Sequence, residues 1–273
     1  MMNVNTEKCI GCGECIKDCF IRDIEMVNGK AKINNKTCIK CGHCIAICPK
    51  NAVSTDEYDM KEVKEFTKEE FLIDPDNLLN FIKFRRTVRQ FKDKEVEMEK
   101  INKIIEAGRF TQTASNMQDV SYIVVREKIE ELKELVFEGL KNKGQNILDN
   151  LNSDNIMFKR YAIMWLNMYD AYKKDPKQND SLFFNAPLVI IVTARLPFNG
   201  ALAASNMELV TDALGLGTLF SGFFLMAAKD NKEINDLLGI KKGTEIAACM
   251  IIGYPDVKYL RTVPRKAVDV TWT

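Results

Sequence analysis

Eight of the nine cysteines lie in two runs of identical spacing within the first fifty residues. Each run has the pattern C-x2-C-x2-C-x3-C, and a proline follows the second run. In such a pattern, three thiolates bind one iron-sulfur cube, and the fourth cysteine reaches the cube of the other run. The spacing therefore predicts two [4Fe-4S] clusters, with the ligand sets Cys9, Cys12, Cys15 and Cys48 for the first and Cys38, Cys41, Cys44 and Cys19 for the second.

Zinc sites and disulfides are the other uses of so many cysteines. Pairs of C-x-x-C can bind zinc, but zinc ribbons do not usually add a third and fourth cysteine at this repeated spacing. Disulfides are typical of secreted chains, whereas this N-terminus turns polar and charged without an apolar signal segment. Together with the unpaired Cys249, these features predict a reducing, cytoplasmic location.

Residues 1 to about 53 resemble the bacterial two-cluster ferredoxins. Phe20 departs from that family, which usually has proline after the first run, and we expect it to alter local packing more than ligation. The remaining roughly 220 residues are enough for one further domain with a single core. We predict a ferredoxin domain over 1–53, an acidic linker over 54–76 and a second domain over 77–273.

Charge and apolar patterning limit the partners. The net charge is +1, with 46% hydrophobic and 28% charged residues, which argues against a nucleic-acid-binding surface. The longest apolar stretches are interrupted by proline, glycine or polar residues, so no membrane span is predicted. Residues 1–53 hold eight Lys or Arg against five Asp or Glu. This excess either steers an acidic donor, such as an external ferredoxin or flavodoxin, or offsets the negative clusters.

A second informative region begins with a predicted helix at Leu78 and continues into the segment R-R-T-V-R-Q-F over residues 85–91. Three arginines within five residues require an anion or a solvated face. A predicted helix over 98–110 follows, then a run of small and amide residues over 112–118, and then a strand over 122–125.

This order of elements resembles the N-terminal half of the FMN-dependent nitroreductase family, and the resemblance runs from about Leu78 to the C-terminus. Later matching segments are D-S-L-F-F-N-A-P at 180–187, L-G-L-G-T at 214–218, I-G-Y-P at 252–255 and P-R-K at 264–266. The resemblance implies an α+β domain with a central, mainly antiparallel sheet flanked by helices. It also implies a homodimer with FMN at the interface.

The resemblance assigns flavin-binding roles to several residues. Arg85 and Arg265 would bind the FMN phosphate, because a planar bidentate donor suits phosphate oxygens. Arg86 and Thr87 would line the ribityl chain and ring edge. Arg89 would lie near the N1 and O2 edge of the ring, where a fixed cation raises the reduction potential. Residues that match contacts to the flavin bound mainly by the other subunit are Gln112, Thr113, Ala114 and Asn116.

Ser221 and Gly222, with Phe220 beside them, match positions near flavin N5, although Phe220 equally fits a packing turn. The glycines at 215 and 217 do not form G-x-G-x-x-G after a strand, so no nicotinamide-binding Rossmann domain is predicted. Departures from the family pattern occur at Gln112, at Ala114 and at the pair Asp119-Val120, which replaces a common Pro-Trp pair.

No catalytic residue can be named from the sequence. The single histidine, His43, lies inside the second cysteine run and is read as a loop residue. An aromatic series from Phe158 to Tyr172 covers one helical face and predicts core or dimer packing. Cys249 lies in an apolar run, 246–252, which predicts a buried strand and an inert thiol.

The two modules together predict an FMN-dependent oxidoreductase. Clusters pass single electrons and flavin transfers two, so the clusters would supply FMN, which would reduce a nitroaromatic or quinone-like acceptor. In one alternative, NAD(P)H reduces FMN directly and the clusters export electrons. In another, the chain is a redox sensor or electron store without turnover.

Overall fold

The computed structural model describes residues 1–273, which divide into two compact units. The first unit comprises residues 1–74 and 113–117, and the second comprises residues 75–112 and 118–273. The first unit thus continues beyond residue 53 into the predicted linker and takes in a short segment from the middle of the sequence. No helix of the chain is long and apolar enough to cross a membrane.

The first unit is built from short elements around the cysteine runs. Strand β1 pairs with β4, and β2 pairs with β3, each pair antiparallel. The bounds are β1 (Met2–Val4), α1 (Glu14–Asp18), β2 (Ile24–Val27), β3 (Lys30–Ile33), α2 (His43–Ala46), β4 (Val53–Thr55) and α3 (Lys68–Phe71). Asn28 and Gly29 both have positive φ in the β2–β3 turn, as Asn-Gly hairpin turns require.

The interior of the first unit is small. Its buried cluster consists of Met2, Cys9, Cys15, Ile24, Ala31, Cys44, Ala52 and Val53. Three of these eight residues are cysteines predicted to bind metal, and two are alanines. This core contains little aliphatic bulk, so the hydrophobic contribution to its stability is correspondingly small.

The second unit contains a four-stranded sheet with helices on both faces. Its elements are α4 (Pro75–Phe84), α5 (Met98–Arg109), β5 (Ser121–Val125), α6 (Ile129–Asp149), α7 (Lys159–Lys174), β6 (Leu188–Ala194), α8 (Pro197–Ala213), β7 (Gly217–Phe220), α9 (Gly222–Ala228), α10 (Lys232–Leu238) and β8 (Glu245–Gly253). The strand order is β5-β6-β8-β7, and every neighbouring pair is antiparallel. The predicted α+β fold with a mainly antiparallel sheet is confirmed.

The central strands β6 and β8 are buried because their two faces support two separate cores. Val189, Ile191 and Ile251 point into a core formed with α6, α7, α9 and α10. Ile190 and Ile252 point into a second core formed with α5 and α8. The alternation follows from the two-residue period of a strand. All seven residues of β6 are buried, as a continuous apolar run predicts.

Candidate functional site

The eight clustered cysteines line two cavities of the first unit, four to each. One cavity is lined by Cys9, Cys12, Cys15 and Cys48. The other is lined by Cys19, Cys38, Cys41 and Cys44. The fourth cysteine of each run therefore lies with the first three cysteines of the other run. This crossed arrangement fits two cubes, each with four thiolate ligands.

Glycines shape both ligand loops. Gly13 and Gly42 immediately precede α1 and α2 with φ values of 78° and 77°. This left-handed conformation is strained for residues with a Cβ, so glycine is favoured at both positions. The turn directs the cysteines at the start of each helix, Cys15 and Cys44, into the interior.

Backbone amides reach two sulfurs of the first cavity. The N–H of Ala31 donates to Cys9 Sγ at 3.5 Å, and the N–H of Ala52 donates to Cys48 Sγ at 3.2 Å. Hydrogen bonds from Ala31 and Gly11 lower the pKa of Cys9. Such bonds stabilise thiolates and raise the reduction potential of a bound cluster.

Burial has the opposite effect on two other thiols. It raises the pKa of Cys44 to about 11, with the neighbouring Cys41 and Cys38 adding to the shift. Burial also raises the pKa of Cys15. Cluster binding to these thiols therefore has to displace a tightly held proton.

Phe20 and His43 also lie at the second cavity. Phe20 is 93% exposed, so its side chain covers little of the protein surface around it. His43, predicted to be a loop residue, is exposed and is instead the first residue of the short helix α2, because the turn at Gly42 starts that helix within the second cysteine run.

In the second unit, Arg85 forms an ion pair that sequence analysis did not anticipate. Its Nη1 donates to Glu208 Oε2 of α8, and both side chains are about four-fifths buried. Asp212 follows one turn later on the same helix. Burial raises its pKa to about 7, Glu208 adds to the shift, and Arg85 opposes it. Two carboxylates thus accompany one guanidinium.

The arginines also retain unused buried donors. Arg85 Nε and Arg86 Nε are buried without a hydrogen-bond partner. Arg86 Nη2 donates to the carbonyl of Lys83. The two Nε atoms have hydrogen-bonding capacity that an anion could use, but the Arg85 guanidinium is already paired with Glu208, so an FMN phosphate would have to replace that carboxylate.

Thr87 and Arg89 flank the edge of the sheet. Thr87 forms a parallel bridge with Thr218 of β7, and the N–H of Val88 donates to the carbonyl of Thr218 at 3.0 Å. The Tyr259 hydroxyl donates to the Thr87 carbonyl at 3.3 Å. Arg89 is exposed.

The junction between β7 and α9 contains Ser221 and Gly222, two residues predicted to lie near the flavin. Ser221 caps α9 by accepting the N–H of Phe224 at 3.2 Å. A Cβ added at Gly222 would meet nothing within 4 Å. Thr218 Oγ1 is buried without a partner. Gly222 is therefore open to a neighbouring group, whereas Thr218 is buried inside β7.

The run over 112–116 is divided between the units. Gln112 belongs to the second unit, whereas Thr113, Ala114 and Asn116 belong to the first. The Asn116 amide donates to two carbonyls near the second cavity, those of Ile39 and Lys40.

Arg265 lies in an exposed C-terminal tail without helix or strand, and its guanidinium donates to the neighbouring Pro264 carbonyl at 3.4 Å. The second unit has one groove lined by Met164, Asn167 and Phe184, among others, and another lined by Phe91, Arg126 and Pro187, among others, and none of the residues predicted to bind FMN lines either groove. The predicted phosphate ligands Arg85 and Arg265 thus occur in different surroundings within one chain.

Other singled-out residues are structural in this fold. Trp165 and Tyr172 of the aromatic series are buried in the core beside α6. Cys249 is buried in β8, where burial raises its pKa well above the usual value. Asp119 accepts from the N–H of Leu196 at 3.0 Å and from Asn199 Nδ2 at 2.7 Å, which fixes the start of α8.

Models of known protein families match both parts of the chain. The family model described as Nitroreductase family matches residues 82–254. The chain belongs to the Nitroreductase family. A 4Fe-4S dicluster domain model matches residues 1–49. The chain therefore carries an N-terminal ferredoxin-like domain fused to its Nitroreductase family domain, as the sequence predicts.

Three individual proteins that the chain resembles share only 19–22% sequence identity with it. A "Putative NADH dehydrogenase/NAD(P)H nitroreductase" from Archaeoglobus fulgidus is 22% identical over 179 residues, 65% of this chain and 84% of the relative. A Bacteroides fragilis nitroreductase solved with bound FMN aligns at TM-score 0.55 and 19% identity, covering 71% of this chain and 98% of that one. A BluB-like flavoprotein from Clostridium difficile 630 aligns at TM-score 0.53 and 20% identity, covering 70% and 94%.

Proposed function

We propose that this chain is an FMN-dependent oxidoreductase that receives single electrons through two [4Fe-4S] clusters and reduces a nitroaromatic or quinone-like acceptor. The main observation behind this proposal is that each of two cavities is lined by four cysteines, three from one run and the fourth from the other run. The other unit of the chain has the nitroreductase fold. Zinc would need four donors converging on one ion. Sulfurs distributed around a cavity suit a cube.

The basic segment supports the flavin part of the proposal. Arg85 and Arg86 hold buried N–H groups that an FMN phosphate could satisfy, and the open backbone at Gly222 leaves room for a ring. Bound FMN would collect two electrons and deliver them as a pair. Reduction of a quinone to its hydroquinone consumes two electrons and two protons, and the electrons come from an external ferredoxin or flavodoxin.

A homodimer is part of the same proposal. Leu78, Leu79 and Ile82 of α4 are exposed, and so are Leu260 and Trp272 of the tail. Large apolar side chains that are exposed in one chain are candidates for burial in an interface. A second copy would cover them and complete a flavin site to which one chain contributes only some residues.

An anaerobic redox titration of the purified protein tests the proposal, with iron, sulfide and flavin quantified on the same sample. We expect about eight irons and one FMN per chain, as two four-iron cubes and one flavin require, with the cluster potentials below the flavin potential. Absence of flavin, or a flavin potential well below both clusters, contradicts the proposed direction of electron flow.

The cysteine pairing has its own test. Cys48→Ser removes the fourth ligand of the first cavity, so one of the two cluster EPR signals should disappear or change form while the other remains. Cys249→Ala is the control, because Cys249 lies in β8 of the second unit. Cys9→Ser should affect the same signal as Cys48→Ser, whereas Cys38→Ser should affect the other one; if Cys48→Ser alters the signal that Cys38→Ser alters, the crossed assignment is wrong.

Direct reduction by NAD(P)H is the second candidate, favoured by the name of the Archaeoglobus fulgidus relative, which includes NAD(P)H nitroreductase. Stopped-flow mixing with NAD(P)H alone distinguishes the two. Rapid bleaching of FMN without ferredoxin supports this candidate, whereas bleaching only in the presence of a reduced ferredoxin supports the first.

A further inference from the structure

Asn116 makes a two-pronged contact with the loop between two predicted cluster ligands. Its Nδ2 donates to the Ile39 carbonyl at 2.9 Å and to the Lys40 carbonyl at 3.0 Å. These residues lie between Cys38 and Cys41, and Ile39 itself lines the second cavity. Both amide hydrogens are used, so the side chain fixes two consecutive peptide groups.

The segment that carries Asn116 has an unfavourable backbone conformation. Ser115, Asn116 and Gln118 have φ values of 49°, 54° and 46°. Lys40, on the accepting loop, has φ of 54°. Left-handed conformations of non-glycine residues persist only where surrounding contacts determine them. The bonds from Asn116 link the strained residues Ser115 and Asn116 to the loop that carries Lys40, all within the first unit.

Because a peptide group is planar, fixing the two carbonyls also fixes the direction of the N–H groups in the same two peptides. The chain contains no cis peptide bonds, and in a trans peptide the C=O and N–H point in opposite directions. The N–H groups of Lys40 and Cys41 therefore point away from Asn116. Donation to a carbonyl also polarises its peptide and strengthens the N–H as a donor.

We propose that Asn116 is a positioning residue for the second [4Fe-4S] cluster, holding the Cys38–Cys41 loop in the conformation that binds the cluster. The inference rests on the proposed function. It gives Asn116 a role on the iron-sulfur side of the protein, whereas the family resemblance assigns this position to the flavin. The second ligand loop is then completed by a segment distant in sequence.

Asn116→Ala removes both hydrogen bonds, and Asn116→Asp keeps the shape of the side chain but removes the donors. In each variant we expect one of the two clusters to shift to lower potential in an EPR-monitored titration. We also expect iron to be lost in air about tenfold faster, on the scale of one to two neutral hydrogen bonds. The affected signal is assigned by comparison with Cys48→Ser, which leaves the second cluster.

Ser115→Gly is the matched control, because glycine accepts the positive φ and Asn116 is retained. Its cluster potentials and rate of iron loss should equal those of the wild type. FMN content is measured in every sample. A wild-type protein without two clusters overturns the proposed function itself. If wild-type loading is normal, unchanged cluster properties in both Asn116 variants overturn the inference, with or without loss of FMN.

Discussion

Arg85, Glu208 and Asp212 form a charge group with one cation and two carboxylates. Burial and the Glu208 charge raise the pKa of Asp212 to about 7 from a usual value of 3.8. A carboxyl whose pKa is higher in the folded state stabilises the fold below its unfolded pKa. That stability is lost as pH rises through about 7.

Asp212→Asn should therefore flatten the pH dependence of stability. The wild type should lose thermal stability between pH 5 and pH 8, and the variant, which has no charge to bury, should be the more stable of the two at pH 8. Thermal unfolding across this range measures the effect. Asp149→Asn, at an exposed carboxylate, is the control. Parallel curves for wild type and Asp212→Asn contradict the assignment.

Residues of the two sites differ in how well they can be predicted from sequence. The cysteine ligands are local, because each run supplies three of the four sulfurs of a cavity from seven consecutive residues. Glu208 and Asn116 are not local, since their partners lie 123 and 77 residues away and only the folded chain joins them. Only one feature of the sequence points to Glu208: it lies four residues before Asp212 on a predicted helix. Two like charges at this spacing repel each other, so a nearby cation is expected.

At the scale of elements, one buried ion pair joins α6 to the loop before β6. Lys133 Nζ lies 2.9 Å from Asp180 Oδ2, and both side chains are almost fully buried. Asp180 also accepts the N–H groups of Phe183 and Asn185 at 2.8 and 2.9 Å. The carboxylate is thus fixed in place and depends on Lys133 for compensation.

Lys133→Ala should destabilise the second unit by about 3–5 kcal/mol, the usual result of leaving a buried charge unpaired. Urea unfolding followed by tryptophan fluorescence measures the change. Lys103→Ala removes an exposed lysine that pairs with Glu99 on α5 and should leave the midpoint unchanged. Equal midpoints for the two variants contradict a buried role for Lys133.

Gly217 and Gly222, at the start of β7 and of α9, provide a second matched pair. A Cβ at Gly217 would lie 2.4 Å from Val88 Cγ2 and 2.9 Å from Val88 Cβ, whereas a Cβ at Gly222 meets nothing. Gly217→Ala should lower stability by about 1–3 kcal/mol through overpacking. Gly222→Ala should leave the melting temperature unchanged and reduce FMN content. Full FMN occupancy in Gly222→Ala contradicts its place at the flavin.

Elements whose apolar residues form a clear helical or strand pattern are predicted well from the sequence. The helix predicted over 98–110 is α5, and the apolar run 246–252 lies within β8. Elements that depend on distant contacts are harder to predict. The acidic stretch 54–76, predicted as a linker, holds the last two residues of β4 and all of α3 in the first unit, and the start of α4 in the second. Strand β4 forms because it pairs with β1, some fifty residues earlier.

At the scale of the whole molecule, the C-terminal tail bears on assembly. Leu260, Val268 and Trp272 are 70%, 83% and 90% exposed. If a second copy covers them, deleting residues 257–273 should shift the protein toward monomer in sedimentation velocity. Arg265→Ala in the full chain should keep the dimer and weaken FMN binding. A wild type that is monomeric at micromolar concentration contradicts the proposed interface.

The first unit has an interior made largely of cysteine and alanine, and this composition links its lifetime to its metal. A unit whose core side chains are also its predicted cluster ligands is expected to fold as the cluster is inserted and to unfold when the cluster is lost. Oxygen damage would therefore leave an unfolded N-terminal segment on a second unit that keeps its own core. Proteases act preferentially on such segments. Inactivation of electron transfer and disposal of the damaged chain would then follow from the same chemical event.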